Sequence, residues 1–371
     1  MSTDPASRSG AVVEIDLAGI CANWRQLARR SAPAACAAVV KANAYGLGAA
    51  PVSRALAADC RMFFVATLDE GIALREALGT APEIAVLNGP LPGTAGEFAA
   101  QTLIPVLNTP GQIEEWDRDR EGPRPGGAIL HVDTGMARLG LSAREFAAML
   151  DDPPAIRWRA VMSHLACADT PDHPLNQRQR ERFAAIAAQL PGVPASLAAS
   201  SGIFLAPSYH FDLVRPGAAL YGVNPQPGRA NPLRQVVRLS GKILQIRQID
   251  RGESVGYGAA HVMAAPGRVA VVPVGYGDGW PRALSERGCG YLGGARLPLL
   301  GRVSMDLVAF DVSAVPEALA HPGAMIELLG PHYGVDEAAA DAGTIGYEIL
   351  CGLGSRYHRV YRDAGEANEP T

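Results

Sequence analysis

The chain contains 371 residues, of which 48% are hydrophobic and 19% are charged, and it is about two to three times as long as a typical domain. This composition excludes a largely disordered chain. The 37 acidic and 33 basic residues give a net charge of −4, and no lysine- and arginine-rich run favours nucleic-acid binding.

The chain also lacks the sequence marks of a membrane or secreted protein. No apolar stretch reaches the ~18 residues of a membrane span, and the polar start Met1–Gly10 has no apolar signal core. Six cysteines are scattered without a C-x-x-C pair, as expected of reduced thiols. We therefore predict a cytoplasmic protein that binds neither membrane nor nucleic acid.

Over the first two-thirds of the chain, short β-rich runs alternate with helical patterns. The predicted strands are Cys36–Lys41, Met62–Ala66, Glu83–Leu87, Thr102–Val106, Ala128–Asp133, Arg157–His164 and Phe211–Arg215. The predicted helices are Leu17–Arg30, Pro51–Ala58, Asp69–Leu78, Ala143–Leu150 and Leu175–Leu190. Roughly eight such units favour an α/β fold of the (β/α)8 TIM-barrel type. The alternative, a doubly wound sheet, usually carries a G-x-G-x-x-G turn after its first strand, and none is found.

The pattern changes after the turn-rich segment Asn224–Pro232. Strand-like runs punctuated by glycine and proline follow, with helical patterns at Asp336–Ala342 and Ile345–Leu350. We predict a barrel domain at 12–232 and a C-terminal mainly-β domain at 233–371. Residues 1–11 are expected to form a flexible or peripheral amino terminus.

Only two lysines are present, Lys41 and Lys242. Lys41 ends a hydrophobic strand, and the carboxyl ends of barrel strands are where active sites lie. Partial desolvation there lowers the pKa of a lysine and makes it a nucleophile able to form a Schiff base. Lys242 is predicted to be an exposed strand residue of the β domain.

The segment Val214–Gly222 follows a late barrel strand, with glycine before a helix start. Free backbone N–H groups at such a start bind anions, and barrels often bind phosphate in their last loops. A lysine on one side and phosphate-binding amides on the other fit an aldehyde cofactor that carries a phosphate. Pyridoxal phosphate (PLP) has this arrangement.

The segment Val40-Lys-Ala-Asn-Ala-Tyr-Gly-Leu-Gly48 resembles the PLP-lysine signature of bacterial alanine racemases. The resemblance extends from about Val12 to Tyr361. Further matching segments occur in the family's order: His131–Gly140, Ser163–Asp169, Ser200–Ile203, Arg215–Gly222, Ser254–Gly258, Val274–Gly279 and Gly301–Asp306.

The resemblance implies a PLP-dependent interconversion of L- and D-alanine, which by family analogy supplies D-alanine for cell-wall synthesis. It implies a head-to-tail homodimer whose active sites are shared between a barrel and the partner's β domain. Two bases would act on opposite faces of the substrate, Lys41 and Tyr257 of the partner subunit. Since tyrosine has a pKa near 10, it needs a positive neighbourhood to act as a base.

The resemblance also assigns the binding residues. The phosphate would be held by Tyr45, Ser200 and the amides of Gly217 and Ala218, with His164 beside the cofactor ring and Arg215 facing the pyridine nitrogen. The substrate side would be formed by Arg138, Tyr276, Met305 and Asp306. The other histidines lack metal-ligand spacing such as H-E-x-x-H, so no metal site is predicted.

Three positions depart from the family pattern. Many members have a lysine, carbamylated in some, where this chain has His131, so a neutral or protonated histidine or a bound anion would hold Arg138 instead. An Asn-Ser pair is replaced by Ala199-Ser200. Ser355 stands where some members have tyrosine, which predicts room for serine or other small amino acids as substrates.

Three alternatives stay open on the sequence. The first is a racemase of different or broader specificity, such as for serine. The second is a PLP-barrel decarboxylase, although Tyr257 in the second-base motif favours racemisation. The third is a non-catalytic PLP-binding protein, which would resemble the barrel alone and would lack a domain with Tyr257 and Asp306.

Overall fold

The computed structural model describes residues 8–118 and 127–363. These residues fall into two units. One contains Ile20–Arg234, and the other contains the described residues up to Gly19 and from Gln235 onward.

The unit from Ile20 to Arg234 is built on parallel strands. The strands are β2 (Ala35–Cys36), β3 (Ala38–Val39), β4 (Met62–Val65), β5 (Glu83–Val86), β6 (Ile104–Leu107), β7 (Ala128–His131), β8 (Trp158–Met162), β9 (Ala195–Ser196) and β10 (Leu213–Val214). Strands β3 to β9 pair side by side in chain order, and β10 pairs with β2, which continues into β3 after Ala37. Hydrogen bonds from Asp212 to Ala195 and from Arg215 to Ala198 join β10 to the β9 side. The strands therefore close on themselves as an eight-stranded barrel.

Helices connect these strands. They are α1 (Leu17–Ser31), which begins in the other unit, α2 (Ala49–Leu56), α3 (Leu68–Leu78), α4 (Ala95–Ala100), α5 (Pro110–Arg118), α6 (Ala143–Asp151) and α7 (Pro174–Ala187). The barrel interior is filled by one apolar cluster drawn from nearly every strand: Ala37, Val39, Phe64, Ala85, Ile104, Val106, Ile129, Ala160, Met162 and Leu213. Because parallel strands are covered on both faces, they read as continuous apolar runs, which is why the sequence located most of them. The short β9 was not predicted.

The second unit is mainly β. Its strands are β1 (Ala11–Asp16), β11 (Val237–Lys242), β12 (Gln245–Ile249), β13 (Ser254–Val255), β14 (His261–Val262), β15 (Gly267–Val272), β16 (Cys289–Leu292), β17 (Ala295–Leu300), β18 (Val308–Asp311), β19 (Met325–Leu329) and β20 (His358–Arg362). Nine of them form one sheet in the order β12-β15-β18-β17-β16-β19-β11-β1-β20, and β13 pairs with β14. Two helices, α8 (Val335–Ala342) and α9 (Gly346–Gly352), complete this unit. The predicted barrel and mainly-β domain are confirmed as fold classes.

The expectation of a flexible or peripheral terminus at 1–11 falls largely on residues 1–7, which lie outside the described residues, but Ala11 already belongs to a strand. Residues 12–16, expected in the barrel, form β1, which pairs antiparallel with β11 and parallel with β20. Val13 and Ile15 point into the core of this unit in strict alternation with less buried neighbours. Alternation predicts a strand with one buried face, but it does not say which sheet the strand joins.

Within the described ranges, the structure contains no helix of the length and apolarity needed to cross a membrane.

Arg75 on α3 holds the barrel loops together. Its guanidinium is buried and donates to the carbonyls of Gly79 (2.7 Å), Pro82 (2.9 Å), Gln101 (3.1 Å) and Thr102 (2.8 Å). The loops after α3 and after α4 are therefore fixed to one side chain.

We expect Arg75→Met to lower the free energy of unfolding by about 3 kcal/mol, because the carbonyls lose their buried donor. Urea unfolding followed by circular dichroism measures the change. Arg54→Met is the matched control, since Arg54 is exposed and its Nε bonds to the Ala77 carbonyl alone at 3.3 Å. Equal losses in the two variants would contradict this role for Arg75.

Candidate active site

Lys41 begins an unusual turn at the carboxyl end of β3. The residues that follow it, Ala42–Tyr45, all have φ between 52° and 54°. This is the left-handed region, which non-glycine residues rarely occupy. The Ala44 amide donates to the Val40 carbonyl at 2.8 Å and closes the turn. We call Lys41–Tyr45 the Lys41 turn.

Glu70, which the sequence did not single out, fixes the Lys41 turn. Its Oε1 accepts from the Ala42 amide at 2.6 Å, and its Oε2 accepts from the amides of Ala66 (2.7 Å) and Thr67 (3.3 Å). The Thr67 hydroxyl accepts from the Glu70 amide and completes a capping box at the start of α3. The Thr-x-x-Glu spacing is a readable helix-start signal, but it does not reveal the contact with the Lys41 turn.

A group of hydrogen-bond donors lies beside the same turn. The Ser200 Oγ accepts from the amides of Gly217 (3.0 Å) and Ala219 (3.1 Å). Since these bonds use both of its lone pairs, the hydroxyl proton is left to donate outward. A Cβ on Gly217 would overlap the Tyr45 hydroxyl, so only glycine allows Tyr45 to reach this loop. Ala218 follows at the start of a 3-10 turn.

Tyr221 contacts both β3 and the side chain of Tyr45. Its buried hydroxyl donates to the Val39 carbonyl at 3.0 Å, directly ahead of the Lys41 turn. Its ring lies 4.9 Å from the Tyr45 ring, centroid to centroid. Tyr221 therefore fixes both the strand that carries Lys41 and the ring that reaches Gly217.

Arg215 is a buried cation in the barrel. Its Nη2 donates to the Ser163 carbonyl at 2.7 Å, and its Nη1 donates to the Ser196 hydroxyl. Burial lowers the pKa of Arg215 to about 10, so it stays charged at neutral pH. Both of these partners are neutral oxygens, so they do not neutralise the charge of Arg215. Its positive charge therefore acts on the neighbouring side chains.

His131 is held as a neutral imidazole. Its Nδ1 lies 2.7 Å from the Asn108 Oδ1, and the Asn108 amide nitrogen donates to the carbonyls of Val106 (2.9 Å) and Leu87 (3.1 Å). Asn108 must therefore present its oxygen to the ring, which places the proton on Nδ1 and leaves Nε2 as an acceptor. Burial, followed by the charge of Arg215, lowers the pKa of His131 to about 4. Between a neutral and a protonated histidine, the two forms considered from the sequence, the structure favours the neutral one.

His164 is neutral for the same reasons. Burial, followed by the positive charges of Arg215 and Arg138, lowers its pKa to about 3. The charge of Lys41 contributes as well, so these side chains share one region of the barrel unit.

Arg138 lies on a loop that is organised by one carboxylate. The Asp133 Oδ1 accepts from the amides of Gly135 (2.9 Å) and Met136 (2.8 Å), and its Oδ2 accepts from Ala137 at 3.0 Å. Burial alone would raise the pKa of Asp133, but these backbone donors hold it below its usual value. Arg138 follows directly and is exposed.

The β unit carries a second group of candidate residues. Tyr257 is 73% exposed in a turn between Gly256 (φ 76°) and Gly258 (φ 71°), beside a concavity of about 960 Å³. Tyr276 and Met305 are also exposed, on two turns that hydrogen-bond to each other. The exposed carboxylate of Asp306 pairs with Arg356, which sequence reasoning missed.

The predicted residues thus fall into two groups. The barrel unit holds Lys41, Tyr45, Arg138, His164, Ser200, Arg215, Gly217 and Ala218. The β unit holds Tyr257, Tyr276, Met305 and Asp306. The roles given to these residues stay predictions.

Comparison with known families matches both units. The profile of the alanine racemase N-terminal domain matches residues 15–225, and that of the C-terminal domain matches residues 236–361. The chain is 54% identical over 368 residues to the alanine racemase of Rhodospirillum rubrum, covering 97% of this chain and 98% of the relative. It is 50% identical over 362 residues to the catabolic alanine racemase of Mesorhizobium japonicum, covering 95% and 93% respectively.

A solved structure agrees with this likeness. The crystal structure of alanine racemase from Bartonella henselae with covalently bound pyridoxal phosphate superposes with a TM-score of 0.91 at 40% identity. The match covers 95% of this chain and 100% of that chain.

The neutral His131 predicts an acid-sensitive fold. Its pKa is about 4 when folded against 6.5 ordinarily, so the unfolded chain binds the extra proton first. The free energy of unfolding should fall as the pH drops from about 6.5 to about 4, and the slope should be shallower in His131→Gln. Urea unfolding across that range measures it, with His321→Gln, at an exposed histidine, as the control. An unchanged slope in His131→Gln would contradict the assignment.

Proposed function

The chain belongs to the alanine racemase family, and on this premise we propose that it interconverts L- and D-alanine, with PLP as cofactor, by moving the α-proton between two bases. The enzyme is an isomerase of the amino-acid racemase class. The proposed bases are Lys41 and Tyr257 of the partner subunit.

One observation carries the proposal. The Lys41 turn begins with a primary amine and ends with Tyr45, whose hydroxyl lies against Gly217 beside the Ser200 hydroxyl. An amine suits the aldehyde of PLP, and the hydroxyls of Tyr45 and Ser200 suit its phosphate. The Gly217 amide, which was also predicted to bind the phosphate, donates to the Ser200 Oγ in this structure. The residues present therefore fit this cofactor at both of its ends, the reactive aldehyde and the phosphate that anchors it.

When bound, PLP withdraws electrons from the substrate α-carbon and so makes the α-proton acidic. The Lys41 Nζ would take or return that proton on one face, and the Oη of Tyr257 of the partner subunit would do so on the other. Exchange of the two roles reverses the direction, so one arrangement serves both enantiomers. The cationic Arg215 would supply the positive neighbourhood that a tyrosine base needs, with the neutral His164 as a hydrogen-bonding link between them.

Arg215 is proposed to face the pyridine nitrogen. Even with its lowered pKa of about 10, the guanidinium keeps its proton at neutral pH and can only donate a hydrogen bond. The ring nitrogen then stays unprotonated, which makes PLP a weaker electron sink. Side reactions such as transamination should be limited for that reason.

The remaining assignments complete the proposal. Arg138 would face the substrate carboxylate, Tyr276 would guard access to the site, and Met305 and Asp306 would contact the substrate region. Because the exposed Tyr257 must approach a barrel, we propose a head-to-tail homodimer with shared sites. The enzyme would act in the cytoplasm, and its product D-alanine would supply cell-wall synthesis.

One further activity is favoured by a specific residue. Ser355 is exposed and small where some relatives place tyrosine. The added room supports a side activity on serine or other small amino acids. The decarboxylase and carrier alternatives are less favoured, since both racemase domains match along the chain.

Lys41→Ala should abolish the visible absorbance of lysine-bound PLP, because the only other lysine is Lys242. Absorbance spectra of the purified, PLP-treated proteins measure this, with Lys242→Ala as the matched control. Colour that persists in Lys41→Ala and disappears in Lys242→Ala would reverse the assignment.

Mixing inactive Lys41→Ala and Tyr257→Phe enzymes should restore activity after subunit exchange. In a shared-site dimer each heterodimer has one site with both bases intact, so about a quarter of wild-type turnover is expected at full exchange. Chiral analysis of alanine measures it, and each variant mixed with itself is the control. Two inactive parents that stay inactive after verified exchange would exclude shared sites.

Ser355→Tyr should lower kcat/KM for serine more than for alanine, since the larger ring fills the added room. Proton exchange at the α-carbon in D2O, followed by chiral analysis, measures both substrates. A wild-type value for serine no higher than that of the variant would refute the proposed side activity.

A further inference from the structure

Arg356 joins two turns of the β unit through two ion pairs. Its Nε lies 2.7 Å from the Asp278 Oδ1, and its Nη1 lies 2.7 Å from the Asp306 Oδ1. Asp278 ends the turn that carries Tyr276, and Asp306 follows Met305. One guanidinium therefore bridges the two loops that carry the proposed substrate-side residues.

The two carboxylates differ in burial. The Asp278 side chain is 8% exposed and its Oδ2 also accepts from the Gly275 amide at 2.9 Å. The Asp306 side chain is 57% exposed. Asp278 is thus the fixed anchor of the guanidinium, and Arg356 in turn orients a carboxylate that would otherwise move freely.

Backbone contacts show how closely the two turns are joined. The Tyr276 amide donates to the Ser304 carbonyl at 3.0 Å, and the Gly277 amide donates to the Met305 carbonyl at 2.8 Å. A Cβ on Gly277 would lie 2.6 Å from the Arg356 Nη2, so the guanidinium lies close against this turn.

We propose that Arg356 is a positioning residue for the racemase reaction, which holds Tyr276, Met305 and Asp306 in one fixed arrangement toward the substrate. The inference rests on the proposed function of those three residues. Arginine suits the task because its planar fork can bind two carboxylates at once, whereas lysine offers a single point charge.

The bridge also has an electrostatic consequence. An amino-acid substrate carries a carboxylate, and an uncompensated Asp306 near it would repel it. Arg356 offsets the charge of Asp306. Loss of Arg356 should therefore weaken substrate binding both by loosening the turns and by exposing a negative charge.

The test compares Arg356→Gln, Arg356→Lys and a matched control. Arg362→Gln is the control, because Arg362 is also partly exposed in the β unit and its Nε pairs with the Glu14 Oε2 at 2.6 Å, joining β20 to β1. Steady-state racemisation of alanine gives KM and kcat, and hydrogen–deuterium exchange followed by mass spectrometry reports on peptides that cover 275–279 and 304–307.

We expect KM for alanine to rise about tenfold in Arg356→Gln, with a smaller fall in kcat. Exchange should increase in those two peptides alone. Arg356→Lys should show a smaller rise in KM. If Arg356→Gln does not fold, Arg356→Lys replaces it in both measurements. The rise caused by Arg356→Gln should shrink in an Asp306→Asn background, because the charge it exposes is then absent. Arg362→Gln should change neither KM nor exchange in these peptides.

Two results would overturn the inference while leaving the racemase function intact. One is an unchanged KM in Arg356→Gln despite faster exchange, which would make the bridge merely structural. The other is unchanged exchange in both peptides. Failure of the wild-type holoenzyme to racemise alanine would instead refute the proposed function, and the exchange data would still show whether the bridge holds the turns.

Discussion

The left-handed Lys41 turn is the constraint on which the barrel site depends. A non-glycine residue costs about 1–2 kcal/mol in this conformation, and the turn contains several in succession. Glu70 offsets that cost by binding the Ala42 amide, and Tyr221 supports the strand before it and the ring of Tyr45. The backbone of this turn fixes where the side chains of Lys41 and Tyr45 begin, and so helps to set the separation of the two ends of the cofactor that they are proposed to hold.

The second organising element is charge. Arg215 is buried with neutral partners, and burial, followed by the field of Arg215, keeps both His131 and His164 unprotonated. A protonated histidine in this region would compete for the role of acid and base. With both imidazoles neutral, they can act as hydrogen-bonding groups, which agrees with the proposal that Lys41 and Tyr257 of the partner subunit transfer the proton. The same arrangement fixes how His131 can meet Arg138, since its Nδ1 is committed to Asn108 and only Nε2 is left to accept.

The sequence predicted the features that depend on local pattern. Buried parallel strands are continuous apolar runs, so the barrel was found, and Lys41 was placed correctly at a strand end. Residues 12–16 were included in the barrel range and no strand was predicted there, whereas they form β1 in the sheet of the other unit. Even its alternation is compatible with any sheet that has one buried face. Glu70 and Arg356 were missed for a related reason. Their partners lie 28 residues away at Ala42 and 50 residues away at Asp306, and nothing in the local sequence records a contact made only by folding.

The exposed side chains of the β unit support the proposal of a shared site. Tyr257, Met305 and Leu307 are large side chains that are exposed in the single chain, as the proposal requires of residues that contact a partner subunit. In a head-to-tail dimer with two-fold symmetry, each such surface meets the same counterpart, so two complete sites form together. The proposed racemisation uses two bases on opposite faces of the substrate. In a site shared by two subunits, each subunit can contribute the base on one face, so one chain does not have to surround the cofactor. In that arrangement the Arg356 bridge, by keeping the substrate-facing turns rigid before the subunits meet, would reduce the entropy lost when the site closes.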